Sequence, residues 1–177
     1  MQNKHTALTC ALLLVGLSAC TQEHAATAAA TASAPAPALP AVLLESRHLE
    51  SWLSGEASET ESAQSAAFAE LLAGGRADAF AALFAQARHP AGKAYALIGL
   101  HQTDPTAYAR LKNDWPAAEE ITVLTGDLAL DYRAAELFPA IEDGRLLRFI
   151  NEPRPHGDAD ALLPPFADRQ PENPNTP

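Results

Sequence analysis

Thiol and hydroxyl nucleophiles are scarce where the sequence is most regular. The chain has two cysteines, Cys10 and Cys20, and both precede the region of periodic apolar residues. From Ala66 to Ile150 there is neither Ser nor Cys. A serine or cysteine enzyme needs its nucleophile in a packed site beside a base. The sequence therefore predicts no such nucleophile between Ala66 and Ile150, and the serines that precede this stretch are explained by capping and solvation. No disulfide or thiolate metal ligand is predicted in the folded part.

Imidazole ligands are present but scattered. The histidines that fall in the periodic region are His48, His89 and His101. A metal site needs several imidazoles or carboxylates that converge on one point, and no two of these histidines have helical i, i+4 spacing. His101 shares an apolar helix face with Leu97, which is typical of a histidine in a core or at its rim. We therefore predict no metal and no cofactor.

Paired carboxylates are the remaining source of chemistry. Asp127 and Asp131 flank a predicted turn, and Glu119 is followed directly by Glu120. Two carboxyl groups can act as general acid and general base. The same residues also suit turn formation and solvated charge, and no spacing supports catalysis. Further acidic residues are interpreted as an exposed face: Glu136, Glu142 and Asp143.

Composition excludes other classes of function. The chain carries 22 Asp and Glu against 12 Lys and Arg, a formal charge of −10. Phosphate backbones repel such a chain, and it has no Lys/Arg stripe. It has no Gly-rich phosphate loop, dinucleotide fingerprint or His-Glu-x-x-His motif. We predict that the protein is not an enzyme and has no nucleic-acid partner.

The amino-terminal segment has the layout of an export signal. Lys4 precedes a largely apolar run from Thr6 to Leu17, which is too short for a comfortable membrane span. The run closes on Leu17-Ser18-Ala19-Cys20, where a branched apolar residue and two small residues precede a cysteine. Residues 1–19 are therefore predicted to be a signal peptide.

These four residues resemble the lipobox of bacterial lipoproteins. The resemblance implies that signal peptidase recognises Leu17, Ser18 and Ala19, and that the signal is cleaved before Cys20. It also implies a diacylglyceryl group on the Cys20 sulfur and a fatty acyl chain such as palmitate on the new amine, which together hold the protein on the bilayer. Thr21, at a position where inner-membrane lipoproteins often have Asp, implies the periplasmic face of the outer membrane, with the inner membrane as the alternative. A plain secretory signal remains the other interpretation of this segment.

Two segments that flank the folded body, residues 42–150, have the composition of linkers. Residues 20–41 are rich in Ala, Thr, Ser and Pro, and predict a flexible tether that spans about 25 Å, or else an alanine run that is partly helical. Residues 151–177 contain seven prolines and predict a flexible, extended tail. The apolar group Leu162-Leu163-Pro164-Pro165-Phe166 is expected to dock on the body or on a partner.

Residues 42–150 have mainly helical periodicity and predict one domain. A first helix is expected from Pro40 to Gly55, and a second from a capping box at Ser58-Glu59-Thr60-Glu61 to Gly74-Gly75. Later helices are expected at these positions: Ala77 to Ala87, from His89-Pro90, from Asp104-Pro105, a short turn at Trp115-Pro116, and Ala134 to Asp143 with a kink or restart at Pro139. Residues 121–132 predict a β-hairpin around Gly126, or else a helix interrupted there.

A repeated pattern places an aromatic ring between two alanines, with Leu three residues after the ring. It occurs at Phe68, Phe80 and Tyr108. Small residues allow close helix packing, so the pattern resembles the helix pairs of HEAT-like solenoids. The predicted fold class is mainly α: a small domain of HEAT-like helical hairpins, with one β-hairpin.

Three functions follow from these observations. The first is a non-catalytic periplasmic module that binds or adapts an unknown envelope protein, which includes immunity lipoproteins that neutralise a periplasmic toxin. The second is a structural or envelope-assembly lipoprotein that makes its contacts through the tail. The third, and least favoured, is an envelope hydrolase that uses the carboxylates named above.

Overall fold

A computed structural model describes residues 38–53, 60–154 and 156–165. Within these ranges the chain is mainly helical, with a small three-stranded mixed sheet, so the predicted fold class is confirmed at this level. The helices are α1 (Ala41–Leu44), α2 (Ala63–Ala73), α3 (Ala77–Gln86), α4 (Pro90–Thr103), α5 (Pro105–Asp114), α6 (Ala134–Glu142), α7 (Arg145–Asn151) and α8 (His156–Asp160). The strands are β1 (His48–Glu50), β2 (Glu120–Thr125) and β3 (Leu128–Arg133).

Helix α4 forms the centre of the domain. Its N-terminus has Pro90 where no amide hydrogen is required, as the sequence predicted. Every residue from Ala94 to Leu100 is buried, so the helix has no solvent-facing stripe over these two turns. The elements that contact it are α1, α2, α3, α5, α6, β1 and β2. The core is therefore built as a shell around one helix.

Aromatic rings from the repeated pattern fill the space between α2, α3 and α4. Phe68 and Phe80 are fully buried, with their ring centroids 5.6 Å apart. The Tyr95 ring lies 6.0 Å from the Phe68 ring. Gly99 permits the close approach of α3, because a Cβ at this position would come within 2.3 Å of the Phe80 ring. The small residue and the ring together determine how closely the two helices pack.

The sheet joins two distant parts of the chain. β1 pairs with β2 in parallel, with Leu49 opposite Val123, and β2 pairs with β3 in antiparallel fashion. The predicted hairpin is confirmed: β2 and β3 are joined by Gly126 and Asp127, and Gly126 has a φ of +61°. A left-handed residue in a two-residue turn matches the twist of the flanking strands.

The prediction of one helix from Pro40 to Gly55 is wrong. Helix α1 ends at Leu44, and the chain then forms β1. Leu49 is fully buried, and the strand hydrogen bonds with β2 replace the helical ones. Tertiary pairing therefore overrides a local pattern that was too short to separate strand from helix.

The cap of α2 also lies later than predicted. The Ser62 Oγ accepts a hydrogen bond from the Ser65 amide at 3.0 Å, which makes Ser62 the N-cap. Ser58 and Glu59 of the predicted capping box lie outside the described residues. The predicted end is confirmed, because α2 stops at Gly74 and Gly75 has a φ of +60°.

The other helix boundaries largely follow the sequence. The Asp104 carboxylate accepts hydrogen bonds from the amides of Thr106 and Ala107 and caps α5, as predicted. Helix α6 runs through Pro139 without restarting. The short turn predicted at Trp115-Pro116 is present as a single turn, in which the Glu119 amide donates to the Pro116 carbonyl oxygen at 3.1 Å, but it does not continue as a helix. Trp115 is buried between the rings of Phe84 and Phe138.

The segment after Asn151 is more ordered than its proline content suggested. It forms α8, and Leu162 and Leu163 are buried in the core, so docking of these two residues on the body is confirmed. The Tyr132 hydroxyl donates to the Pro164 carbonyl oxygen at 3.0 Å. Phe166 and the rest of the predicted tail lie outside the described residues. Across the described ranges, none of the helices combines the length and apolar character needed to span a bilayer.

We expect Gly99→Ala to destabilise the domain. The new methyl group would overlap the buried Phe80 ring, and overpacking of this kind costs about 1–3 kcal/mol. The better helix propensity of Ala returns no more than about 1 kcal/mol. Urea denaturation measures the difference in unfolding free energy. As a control, Phe80→Leu in the Gly99→Ala background should recover part of the loss; a single variant as stable as the unsubstituted chain would contradict the packing described here.

Candidate interaction surface on the sheet

Strand pairing places two sets of side chains on opposite faces of the sheet. The inner set is buried against the helices and includes Leu49, Ile121, Val123 and Tyr132. The alternate residues form a second face, which we call the outer face. Its members are His48, Glu50, Glu120, Thr122, Leu124, Ala129, Asp131 and Arg133. All of them are exposed or half-buried, so this face is open to contact.

The centre of the outer face is a row of three polar residues. His48 lies beside Thr122 in the parallel pair, and Thr122 lies opposite Asp131 in the antiparallel pair. The Thr122 hydroxyl donates to the Asp131 Oδ1 at 2.6 Å. The row therefore combines an imidazole, a hydroxyl and a carboxylate, which are groups that recognise polar partners.

Glu50 is the half-buried acid of the outer face. Its amide donates to the Tyr95 hydroxyl oxygen at 2.9 Å, and Gln64 Nε2 donates to its Oε1 at 2.9 Å. Burial raises the pKa of the Glu50 carboxyl, while His48 and the Gln64 hydrogen bond act in the opposite direction. The ionised form is therefore less favourable in the folded protein than in water.

A second polar group links α5 to α6, and we call it the α5–α6 brace. The Glu142 Oε1 accepts from Tyr108 Oη at 3.1 Å and from Lys112 Nζ at 2.6 Å. The Lys112 ammonium lies 5.6 Å from the Tyr108 ring centroid and 5.7 Å from that of Phe138. The hydrogen bond from Lys112 is the largest of the effects that lower the Glu142 pKa; burial opposes it, and the hydrogen bond from Tyr108 lowers the pKa further. The Lys112 ammonium already occupies the space between the two rings and the Glu142 carboxylate, so the brace has a structural role.

His101 belongs to the edge of this brace. It is half-buried, and its ring lies edge-on to the Tyr108 ring at 4.9 Å. This position agrees with its interpretation as a rim histidine. Among the described residues, no group of three or more His, Cys, Asp or Glu side chains is placed to hold a metal ion.

The first predicted carboxylate pair is separated in the fold, whereas the second stays adjacent at the start of β2. Asp127 lies in the hairpin turn, whereas Asp131 lies on β3 and contacts Thr122, so they do not form a pair across the turn. Glu119 precedes β2, and Glu120 is its first residue. Asp143 pairs with Arg145 at 2.7 Å. A hydrolase based on Asp127 with Asp131 has no support in this arrangement.

An open groove of about 470 Å³ lies where the described chain begins. It is lined by Leu39 and Pro40 on one side and by Glu70, Leu71 and Arg76 on the other. Its mixed lining carries no convergent set of reactive groups. It marks the place where the predicted tether meets the domain.

The predicted lipidation site cannot be compared with this geometry, because Leu17, Ser18, Ala19 and Cys20 lie outside the described residues. The sequence did not reveal the outer face, since 71 residues separate Glu50 from Thr122. The alternation of His48, Leu49 and Glu50 was the local sign of a strand, but three residues are too few to identify one.

No protein-family model, curated protein or solved structure matches this chain.

We expect Glu50→Gln to stabilise the protein at neutral pH. A raised carboxyl pKa means that ionisation costs stability as the pH rises through the folded-state value, and Gln removes that cost while its Oε1 still accepts from Gln64. Urea denaturation at pH 7 and at pH 3.5 should show a gain that is larger at pH 7. The same change at the exposed Glu70 serves as the control; an equal effect at both pH values would contradict the role of burial.

Proposed function

We propose that this protein is a membrane-anchored periplasmic lipoprotein that acts as a non-catalytic protein-binding module. The outer face carries the proposal: eight residues from three strands form one open surface that mixes charge, hydrogen-bonding groups and the apolar side chains of Leu124 and Ala129. Interfaces between proteins have this mixed character. The proposal assigns the face to an envelope protein and the acylated Cys20 to the bilayer.

The proposed location rests on the lipobox alone. Lipid on Cys20 would hold the domain at the periplasmic face of the outer membrane, with the inner membrane as the alternative. The part of the tether that precedes the described residues would let the outer face search for its partner. The HEAT-like arrangement of helix pairs also remains a proposal, supported by the packing of α4 against both α3 and α5.

Within this class, an immunity lipoprotein that neutralises a periplasmic toxin is the more specific candidate. The formal charge of −10 would attract a basic effector and accelerate its association. A role in envelope assembly through the tail is the second candidate. Deletion of residues 166–177 distinguishes them, because only the assembly role should lose its partner.

The anchor predicts a specific covalent product. Intact-mass measurement of the chain isolated from a bacterial envelope should show residues 20–177 with a diacylglyceryl group and one further acyl chain. Cys20→Ser should abolish the modification and release the protein from the membrane fraction, whereas Cys10→Ser should change neither. A bare thiol at Cys20 or a retained signal would contradict the proposal.

The binding surface predicts site-specific cross-linking. A photoreactive amino acid at Glu120 or Thr122, both on the central strand, should capture the same envelope protein in living cells. The same probe at Arg110, which is exposed on α5, should not. Capture from Arg110 alone, or different proteins from the two sheet positions, would place the working surface elsewhere.

A further inference from the structure

A segment near the end of the described chain packs beneath the β2–β3 hairpin, and we call it the strap. It consists of residues 156–165 and includes α8. The strap contacts Thr125 of β2 and Tyr132 of β3, both of which are buried on the inner face of the sheet. It therefore lies on the side of the hairpin opposite the outer face.

Two hydrogen bonds hold the strap near the two ends of the hairpin. The Thr125 hydroxyl donates to the Asp160 Oδ1 at 2.6 Å, beside the turn. The Tyr132 hydroxyl donates to the Pro164 carbonyl oxygen at 3.0 Å, in the strand pair that Tyr132 forms with Ile121. Four residues separate the two points on β2 and on the strap alike, a distance of about 13 Å along the strand. The strap therefore follows the hairpin along most of its length.

Strand β3 depends on the strap more than the other two strands do. The central helix α4 packs against β1 and β2, whereas the elements that pack most extensively on β3 are β2 and α6. Because α6 begins directly after β3, it holds the strand at the end next to Ala134. The bond between Tyr132 and Pro164 instead supports β3 from a distant part of the chain.

The outer face depends on the position of this hairpin. Strands β2 and β3 supply six of its eight residues, and β3 alone supplies Ala129, Asp131 and Arg133. These side chains keep their places beside those of β2 only while the two strands stay paired. Release of the strap would remove the two hydrogen bonds described above and expose Leu162 and Leu163 to water. Support on the inner side therefore bears on the surface of the opposite side.

The strap has the features of a segment that opens before the rest of the domain. Its helix α8 has five residues, which is shorter than a helix that is stable by itself. Leu162 and Leu163 lie at the edge of the core, each 6% exposed, whereas Leu97 of α4 is 0% exposed. Asp160 is exposed, so water competes for the hydrogen bond from Thr125. A segment with few buried contacts opens at a lower free energy than the whole domain.

We propose that the strap regulates the outer face: the face binds its partner while the strap is docked, and release of the strap frees β3 to move and weakens that binding. The inference deepens the proposed function and rests on it for the existence of the partner. Its structural part, the support of β3 by the strap, does not depend on a partner. Asp160 is a positioning residue in this scheme, because it acts through Thr125 on the inner side of the hairpin.

Hydrogen exchange of the full chain in mild detergent tests the structural part. Asp160→Ala removes the acceptor of Thr125, so the β3 amides that pair with β2 should exchange about tenfold faster, the effect of one lost hydrogen bond to a charged group. The amides of α4 should keep their protection. Asp160→Asn retains an oxygen acceptor and should restore most of the protection of β3. Asp158→Ala, at an exposed acid of the same helix, is the matched control and should change neither.

Two deletions test the regulation, with the photoreactive residue at Thr122 as the probe. Deletion of residues 156–177 removes the strap, and capture of the envelope protein should fall about tenfold, as expected when about a tenth of the molecules keep the binding conformation. Deletion of residues 166–177 leaves the strap in place and should not lower capture. Protection of α4 shows that the shorter chain is folded; if that protection is lost, Leu163→Ala in the full chain replaces the larger deletion.

Three results would overturn the proposal. One is an Asp160→Ala chain in which β3 exchanges no faster than in the control, or in which α4 loses as much protection as β3. Another is undiminished capture from a folded chain that lacks the strap. The third is capture that is already lost when residues 166–177 alone are deleted. No capture even from the unsubstituted chain would instead contradict the proposed function, and the exchange rates would still decide whether the strap supports β3.

Discussion

The middle of α4 is buried on all sides, and this constraint organises the whole domain. Seven consecutive residues, Ala94 to Leu100, are buried, so a gap in the elements around them would leave an unfilled cavity. Close packing requires the surrounding elements to meet the helix at short distance, and Gly99 allows this where Phe80 lies against it. The sheet is one of these covering elements, so its position follows from the need to enclose α4.

The same burial explains why β1 exists. Leu49 is required on the inner side of the sheet, and a strand places His48 and Glu50 on the opposite side. The Glu50 amide reaches the hydroxyl of Tyr95 on α4, which satisfies a backbone donor and the polar end of a fully buried ring at once. An element built for the core therefore contributes two of the eight residues of the outer face.

The polar side chains of this protein occur in two different structural settings, the α5–α6 brace and the outer face. The α5–α6 brace combines a lysine, a carboxylate and two aromatic rings, but these groups already satisfy one another. The outer face also has internal hydrogen bonds, from Thr122 to Asp131 and from Gln64 to Glu50, but its side chains are exposed or half-buried. The brace therefore stabilises the packing of its own helices, whereas the outer face is the surface that we propose for a partner.

The sequence alone determined features that depend on a few neighbouring residues. The proline and aspartate at the start of α5, the glycines after α2 and the hairpin at Gly126 were all predicted, because capping and turn formation are local interactions. The lipobox is equally local, and it remains the basis for the proposed address of the protein. The failed prediction near Pro40 concerned a segment whose periodicity was shared by helix and strand.

Only the tertiary structure decided what β1 is and which residues form the outer face. His48 and Thr122 become neighbours through a parallel pairing across more than seventy residues, and nothing in either segment encodes the other. The burial of Leu162 and Leu163 was likewise decided by the surface available beneath the hairpin. Local chemistry determines where an element begins or ends, but the choice of its partner depends on the apolar area that the complete fold can bury.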